Sequence, residues 1–125
     1  MIYSTWRLYQ YLDSFTAFRD SLLRDDPELV ANLDQRLHRL QIMGNQAQEP
    51  VSKYVEDGIL ECKAKSAQHQ ARLLFCFQPG TRIVILLGIL KDQRKLKRAD
   101  IEEAKRRRAI IESQSEFIRG LHSTH

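Results

Sequence analysis

The sequence has few of the features that mark cross-linked or membrane-spanning proteins. It contains only two cysteines, five glycines and three prolines in 125 residues. Its longest apolar run, Ile83–Leu90, is too short to cross a bilayer. The N-terminus lacks the basic and then apolar pattern of a secretion signal, and two cysteines without such a signal favour a reduced setting. We therefore predict a cytoplasmic protein with no membrane segment.

The sequence also lacks the local motifs of most metabolic enzymes. No stretch matches a P-loop, a dinucleotide fingerprint, zinc-ligand spacing or a nucleophile elbow. His38 has no second ligand four residues further along its helix, which favours a surface residue over a metal ligand. We predict neither a metal nor a cofactor.

The length, composition and charge indicate one globular domain with a basic half. The chain is 42% hydrophobic and 29% charged, and we assign residues 1–115 to one domain and residues 116–125 to a frayed C-terminal tail. Residues 1–60 contain 6 Lys and Arg against 9 Asp and Glu, whereas residues 61–125 contain 14 against 7. A basic face of this kind suits a polyanion or an acidic protein partner, although scattered solvated charges would give the same count.

The first half reads as one strand followed by two helices. Part of Ile2–Leu12 alternates loosely and predicts a strand. Asp13-Ser14 predicts a helix start, and Asp26-Pro27 predicts a second helix with Asp26 as its N-cap. Gly44-Asn45 ends that helix. Together these segments predict a helical hairpin with one apolar stripe.

The second half reads as a three-strand meander, a basic connector and a helix. The predicted strands are Gly58–Ser66, Gln70–Gln78 and Arg82–Gly88, the connector is Ile89–Arg98, and the helix runs from about Asp100 to Ile111. The predicted fold is therefore α+β, in which a small, twisted, mostly antiparallel sheet packs against the helical hairpin and is followed by a C-terminal basic helix.

The alternation in these strands predicts a cluster of cations. If the apolar residues share the core face, Lys63, Lys65 and Arg72 lie together on the other face. Like charges that close destabilise a strand pair unless an anion neutralises them, so the cluster favours an anionic ligand. Solubilising residues on an exposed sheet would give the same pattern. The same parity places Cys62 on the core face and Cys76 on the opposite face. Their side chains then point away from each other and cannot form a disulfide.

Such cations suit phosphodiester chemistry. Arg stabilises charge on phosphoryl oxygens, and RNA supplies its own nucleophile, the 2′-hydroxyl, so cleavage needs no metal. A Lys crowded by other cations approaches base function. His69, before Arg72, is another candidate acid or base, with an exposed turn histidine as the alternative.

An ordered set of segments resembles one family. These are Pro50–Tyr54, Asp57–Lys63, Ala71–Phe77, Arg82–Lys91 and Asp100–Ala104. With these segments the chain resembles the RelE/HigB group of bacterial type II toxins, in the RelE/ParE superfamily, particularly its phage-derived HigB-like branch. The resemblance covers roughly residues 50–108, while the first half matches only in the order of its elements.

The resemblance implies a ribosome-dependent mRNA endonuclease that is inhibited by a cognate antitoxin. It implies that Arg72 stabilises the cleaved phosphate, that strand lysines bind RNA or assist proton transfer, and that basic residues after the last strand complete the site. The candidate catalytic residues are Arg72, Lys63, Lys65, Lys91 and Arg94, and the candidate RNA-binding residues are Lys95, Lys97, Arg98 and His69.

Two departures and two alternatives accompany this interpretation. The chain has Leu96-Lys97-Arg98 where relatives often have Thr-Pro-Lys, and Ala71 where they often have an aromatic residue for base stacking. No general base is assigned. The alternatives are a ParE-like inhibitor that binds a topoisomerase without catalysis, and an inactive basic RNA-binding module.

Overall fold

The computed structural model describes residues 6–91 and 95–121, with the backbone alone at Lys91. The described residues form three α-helices and one six-stranded sheet. In chain order the elements are β1 (Arg7–Tyr11), α1 (Ser14–Leu23), α2 (Pro27–Met43), β2 (Lys53–Glu56), β3 (Ile59–Lys65), β4 (Gln70–Gln78), β5 (Arg82–Lys91), α3 (Arg98–Ser113) and β6 (Ile118–Gly120). Short 3-10 turns follow α2 and α3, at Gly44–Gln46 and Ser115–Phe117.

The sheet has the order β2-β3-β4-β5-β1-β6. All neighbouring strands are antiparallel except β1 and β5, which are parallel. Parallel strands need a long crossover connection, and the helical hairpin and the first strands of the meander supply one between β1 and β5. The predicted α+β class, with a mostly antiparallel sheet, an N-terminal helical hairpin and a C-terminal helix, is confirmed.

The helical hairpin covers one face of the sheet. Asp26 caps α2 by accepting a hydrogen bond from the Leu29 amide, and Pro27 occupies the first helical position, as predicted. Leu33 and Leu40 lie on the buried stripe of α2 and are fully excluded from solvent. This stripe packs against the side chains of alternate strand residues. The apolar residues with helical spacing and those with strand spacing therefore form one core.

The central strand β5 is covered on both faces. Ile83 and Ile85 face the helical hairpin, whereas Val84 and Leu86 belong to a second core under α3. All four are fully buried, which confirms the interpretation of this strand as apolar on both sides. Helix α3 contributes Ala104 and Ile111 to the second core, and its Ile101 is also buried.

A β-bulge in β5 anchors α3 to the sheet. The ladder pairs Leu74 with Leu87 and Phe75 with Ile85, which leaves Leu86 without a partner on β4. The Leu86 carbonyl accepts a hydrogen bond from Arg107 Nη1 of α3 at 2.7 Å. The Arg107 guanidinium also lies over the Tyr11 ring, 4.9 Å from its centroid. The position of α3 over the sheet therefore depends on this irregularity.

Two predicted boundaries are wrong, and one strand was not predicted. The connector does not begin at Ile89, because β5 continues to Lys91 through pairing with Gln70 and Ala71 of β4. The short strand β2 was not predicted. Residues 116–121 are not a frayed tail, since β6 pairs with β1 and the Leu12 amide donates to the Phe117 carbonyl. Residues 122–125 lie outside the described part of the chain.

The two cysteines lie on opposite faces of the sheet, as predicted. Cys62 belongs to the core under the hairpin and Cys76 to the core under α3, and both thiols are free. Burial raises the pKa of each thiol to about 12, so neither is a nucleophile at neutral pH. Among the described helices, none is both long enough and apolar enough for a membrane span.

Candidate functional site

Three predicted site residues lie on the sheet face opposite the helical hairpin. Lys63 of β3 is directly opposite Arg72 of β4, and Lys65 is opposite Gln70. Side chains two residues apart on a strand point to the same face, so Lys63, Lys65 and Arg72 share one face, which we call the cation face. The next strand places Ile89 opposite Arg72. The sequence argument from parity is thus confirmed for the position of these residues.

Arg72 lies deep in the cation face and forms a buried ion pair. Its side chain is only 4% exposed, and its Nη1 lies 3.3 Å from Oε2 of Glu61, which is equally buried. Glu61 is two residues before Lys63 on β3 and therefore points to the same face. The candidate phosphate-binding arginine is thus held by a carboxylate of the neighbouring strand.

Lys63 has its own carboxylate partner. Its Nζ lies 3.5 Å from Oε2 of Glu49, in the loop between α2 and β2, and the Glu49 side chain is about half exposed. The same loop fixes the backbone, because the Lys63 amide donates to the Pro50 carbonyl at 2.9 Å. Arg36 and Asn32 of α2 donate to the carbonyls of Lys63 and Lys65. These contacts cover the edge of β3 beyond its pairing with β2.

These two carboxylates weaken the argument that the cation cluster requires an external anion. The sequence argument held that like charges opposite each other are kept because an external anion neutralises them. The chain itself supplies the anions, Glu49 for Lys63 and Glu61 for Arg72. Like-charge crowding alone therefore no longer requires a polyanionic ligand.

The other predicted site cations have different surroundings. Lys65, Lys95 and Lys97 are exposed, and none of them forms an ion pair with another described residue. Lys91 is placed by its backbone alone, opposite Gln70, and Arg94 lies outside the described residues.

Arg98 is exposed but already paired. Its Nη1 lies 2.7 Å from Glu56 and 3.1 Å from Glu102, and Glu56 also binds Lys105 at 3.0 Å. These contacts lower the pKa of Glu56 to about 2, first through the Arg98 hydrogen bonds and then through Lys105. Arg98 therefore ties the start of α3 to the end of β2, and any contact with RNA has to compete with that network.

Much of the remaining charge of α3 is also paired internally. Glu103 binds Arg106 at 2.6 Å and Arg107 at 2.7 Å, and these hydrogen bonds lower the pKa of Glu103 to about 2. Arg108 lies 3.4 Å from Glu112. The helix is basic in composition, but its arginines are matched by acidic residues one turn away.

His69 is directed toward the helical hairpin rather than the cation face. Its Nδ1 lies 2.7 Å from Oδ2 of Asp26, the N-cap of α2, and the Ser66 hydroxyl donates to the same oxygen at 2.6 Å. The hydrogen bonds from Ser66 and His69 lower the pKa of the Asp26 carboxyl. His69 thus joins the β3–β4 turn to α2, and the structure does not bring it together with Arg72.

Sequence reasoning missed both carboxylates of the site. Glu61 could have been found, because it shares the parity of Lys63 and Lys65 in the segment Ile59–Lys65. Glu49 could not, since it reaches Lys63 only through the path of a loop.

The arrangement can bind and orient a phosphate group. A guanidinium at the bottom of the face and ammonium groups at its rim supply charge-assisted donors for phosphoryl oxygens. Among the described residues, no three His, Cys, Asp or Glu side chains come together as a metal site.

A family model described as Phage derived protein Gp49-like (DUF891) matches residues 20–109. The matched region includes Glu49, Glu61, Lys63 and Arg72. No curated protein matches the chain.

Proposed function

Because the chain belongs to the Gp49-like family of phage-derived proteins, we propose that it is the toxin of a type II toxin–antitoxin system. In this proposal it is a ribosome-dependent mRNA endonuclease of the RelE/HigB type that stops translation in the cytoplasm. Its partners are mRNA on the ribosome and a cognate antitoxin.

Two general findings support the toxin assignment. The Gp49-like family is associated with RelE-like toxins. The fold, a mostly antiparallel sheet with a helical hairpin on one face and a C-terminal helix on the other, is consistent with a small RelE-like fold. Neither finding selects RNA cleavage over another toxic activity, so that choice depends on the chemistry of the site.

The single observation that carries the choice is the cross-strand pair Lys63–Arg72, with Lys65 on the same face. Cleavage through the 2′-hydroxyl builds negative charge on the phosphoryl oxygens, and fixed cations stabilise that charge. In our proposal Arg72 binds the reacting phosphate, while Lys63 and Lys65 bind the RNA backbone or assist proton transfer. The proposal also assigns a catalytic role to Lys91 and Arg94, and RNA binding to Lys95, Lys97 and Arg98.

One observation favours the non-catalytic alternative, a ParE-like inhibitor of a topoisomerase. Arg72 is 4% exposed and paired with Glu61, so a phosphate reaches it only if its surroundings rearrange. A toxin that acts by binding alone needs no such rearrangement. The activity test therefore has to separate message cleavage from growth arrest.

The test is controlled expression in bacteria, with growth and primer extension on abundant messages as readouts. The site variant is the double substitution Glu61→Gln with Arg72→Gln, which removes the guanidinium together with the Glu61 charge that it binds. The matched control is Arg39→Gln, an exposed cation on α2, on the hairpin side of the sheet. Western blotting and the unfolding temperature of each purified chain show whether the variants accumulate and fold.

The expected result is cuts confined to translated frames, which are present in the wild type and in Arg39→Gln and are lost in the double variant. Growth arrest with intact messages would contradict the endonuclease and favour the topoisomerase inhibitor. Cuts of equal strength in the folded double variant would show that Arg72 is not part of the active site.

The antitoxin partner has a separate test. A partner that covers the cation face adds anionic groups to it, so binding is expected to weaken as ionic strength rises. Co-expression of the neighbouring open reading frame should restore growth. Failure of every adjacent frame to do so would contradict the pairing.

A further inference from the structure

We propose that Glu61 is a positioning residue for the reaction, which holds the Arg72 guanidinium in the orientation that receives the reacting phosphate. The inference rests on the proposed endonuclease function. It assigns to Glu61 a role that acts through Arg72 and involves no contact with RNA.

The geometry gives Glu61 this role. The residue lies on β3, two positions from Lys63, and the ladder places it opposite Leu74, so it approaches Arg72 diagonally across the strand pair. The contact from Arg72 Nη1 to Glu61 Oε2 is 3.3 Å, and the two side chains are 4% exposed each. Both residues lie on central, hydrogen-bonded strands, which hold a side chain more rigidly than a loop does.

A purely stabilising role explains this pair poorly. Two charges that leave water lose hydration, and their mutual attraction often fails to make up that loss, so apolar residues of similar size stabilise a core equally well. The neighbouring positions of β4 show that the fold uses apolar residues here, since Leu73 and Leu74 are fully buried. An apolar pair would fill this space but would provide no guanidinium. The buried Glu61 carboxylate gives the Arg72 guanidinium a fixed direction.

Orientation matters for catalysis because transition-state stabilisation needs donors that are already in place. Once the surroundings of Arg72 have opened to the phosphate, a guanidinium that Glu61 still holds needs no further reorientation as charge develops on the phosphoryl oxygens. A misplacement of about 1 Å is enough to lower a rate by roughly 100-fold. Loss of Glu61 is therefore expected to affect the reaction rate more than RNA binding.

The experiment measures single-turnover cleavage of a ribosome-bound message with a rising excess of purified protein. The plateau rate reports the chemical step and the half-saturation concentration reports binding. The variant is Glu61→Gln, which keeps the shape and removes the charge. We expect the plateau rate to fall by about 10- to 100-fold, with the half-saturation concentration unchanged or lower because one negative charge has left the face.

The matched control is Glu103→Gln, which removes a carboxylate from Arg106 and Arg107 on α3. This pair lies outside the proposed site, so the plateau rate should equal that of the wild type. A merely structural loss lowers the fraction of folded protein, which raises the apparent half-saturation concentration and leaves the plateau rate unchanged. The two readouts thus distinguish positioning from stability.

If Glu61→Gln shows no cooperative unfolding transition, Glu61→Asp replaces it. This substitution keeps the charge, but the side chain is one methylene group shorter and its carboxylate lies farther from Arg72. We therefore expect a smaller fall in the plateau rate, about 3- to 10-fold. A folded variant with the wild-type plateau rate overturns the proposal for Glu61 alone. A wild-type chain that cuts no message overturns the endonuclease proposal and this role with it.

Discussion

Lys63 and Arg72 are directly opposite each other in the β3–β4 ladder, and a different carboxylate binds each of them. Glu49 lies 3.5 Å from the Lys63 ammonium and Glu61 lies 3.3 Å from the Arg72 guanidinium. The two carboxylates differ in exposure: Glu49 is 56% exposed, whereas Glu61 is 4% exposed. An exposed carboxylate can move away freely when an anion binds, whereas a buried one moves only if its surroundings rearrange, so the two pairs should respond differently to substitution.

The Glu49→Gln substitution is expected to strengthen RNA binding. It removes an anion that competes with phosphate for Lys63, and an ion pair with an exposed partner contributes up to about 1 kcal/mol. We expect the Kd for a short single-stranded RNA to fall by about 3- to 5-fold. Because one more cation is available to phosphate, the slope of log K against log salt should steepen by about 0.7.

The measurement is filter binding or fluorescence anisotropy over a range of salt concentrations. Asp20→Asn is the matched control, since it removes an exposed carboxylate from α1, on the hairpin side of the sheet. Equal affinity and equal slope in Glu49→Gln and the wild type would show that Lys63 does not contact the backbone. The free energy of unfolding should change by less than about 1 kcal/mol, because the Glu49–Lys63 pair is partly exposed.

The Glu56→Gln substitution should reveal an acid-dependent link between β2 and α3. The folded pKa of Glu56 is about 2, below its ordinary value of 4.5. A carboxyl whose pKa is lowered by folding stabilises the fold above its unfolded pKa and loses that contribution as the pH falls through the folded pKa. The wild type should therefore unfold at a higher temperature than Glu56→Gln at pH 7, and the difference should disappear between about pH 4.5 and 2.

Thermal unfolding by circular dichroism at several pH values checks this link. Glu116→Gln serves as the control, because the Glu116 side chain forms no ion pair with another described residue. High salt at pH 7 should reduce the difference as well, since the network is largely exposed. A difference that persists unchanged at pH 2 would show that the carboxylate charge is not its cause.

The elements of the fold were predictable because local patterns determine them. Asp26-Pro27 and Gly44-Asn45 mark the ends of α2, and the alternation in β3 and β4 is regular. Strand β2 was not predictable, since its four residues, Lys53–Glu56, have no clear alternation. The bulge at Leu86 was equally hidden, because it lies in an uninterrupted apolar run where a shift of one residue changes no pattern.

The site was predictable in its cations but not in its carboxylates. Parity placed Lys63 and Arg72 on one face, because the side-chain direction in a strand follows from sequence position alone. The contacts of Glu49 and His69 depend on how a loop and a helix end approach the sheet. His69 and its partner Asp26 are 43 residues apart, and no local rule connects them.

Gly88→Ala is expected to destabilise the fold where α1 crosses β5. A Cβ atom at Gly88 would lie 2.5 Å from Cγ of Phe18, much closer than such atoms approach in proteins. Overpacking of this kind costs about 1–3 kcal/mol. We expect a lower unfolding temperature for Gly88→Ala, partial recovery when Phe18→Leu is added, and no change for Gly120→Ala, where no atom lies within 4 Å. Equal stability of Gly88→Ala and the wild type would contradict this packing.

His69→Asn is expected to lower stability and to leave message cleavage unchanged. The imidazole binds Asp26 on the hairpin side of the sheet, away from Arg72, so its loss weakens the junction between the β3–β4 turn and α2. One lost hydrogen bond should lower the unfolding temperature by roughly 2–6 °C. Gln68→Asn, an exposed change in the same turn, is the control. The sequence analysis instead placed His69 among the candidate RNA-binding residues and as a candidate acid or base. Reduced cleavage by His69→Asn at an unchanged unfolding temperature would support that role. A purely structural role predicts instead that cleavage falls only when the unfolding temperature falls.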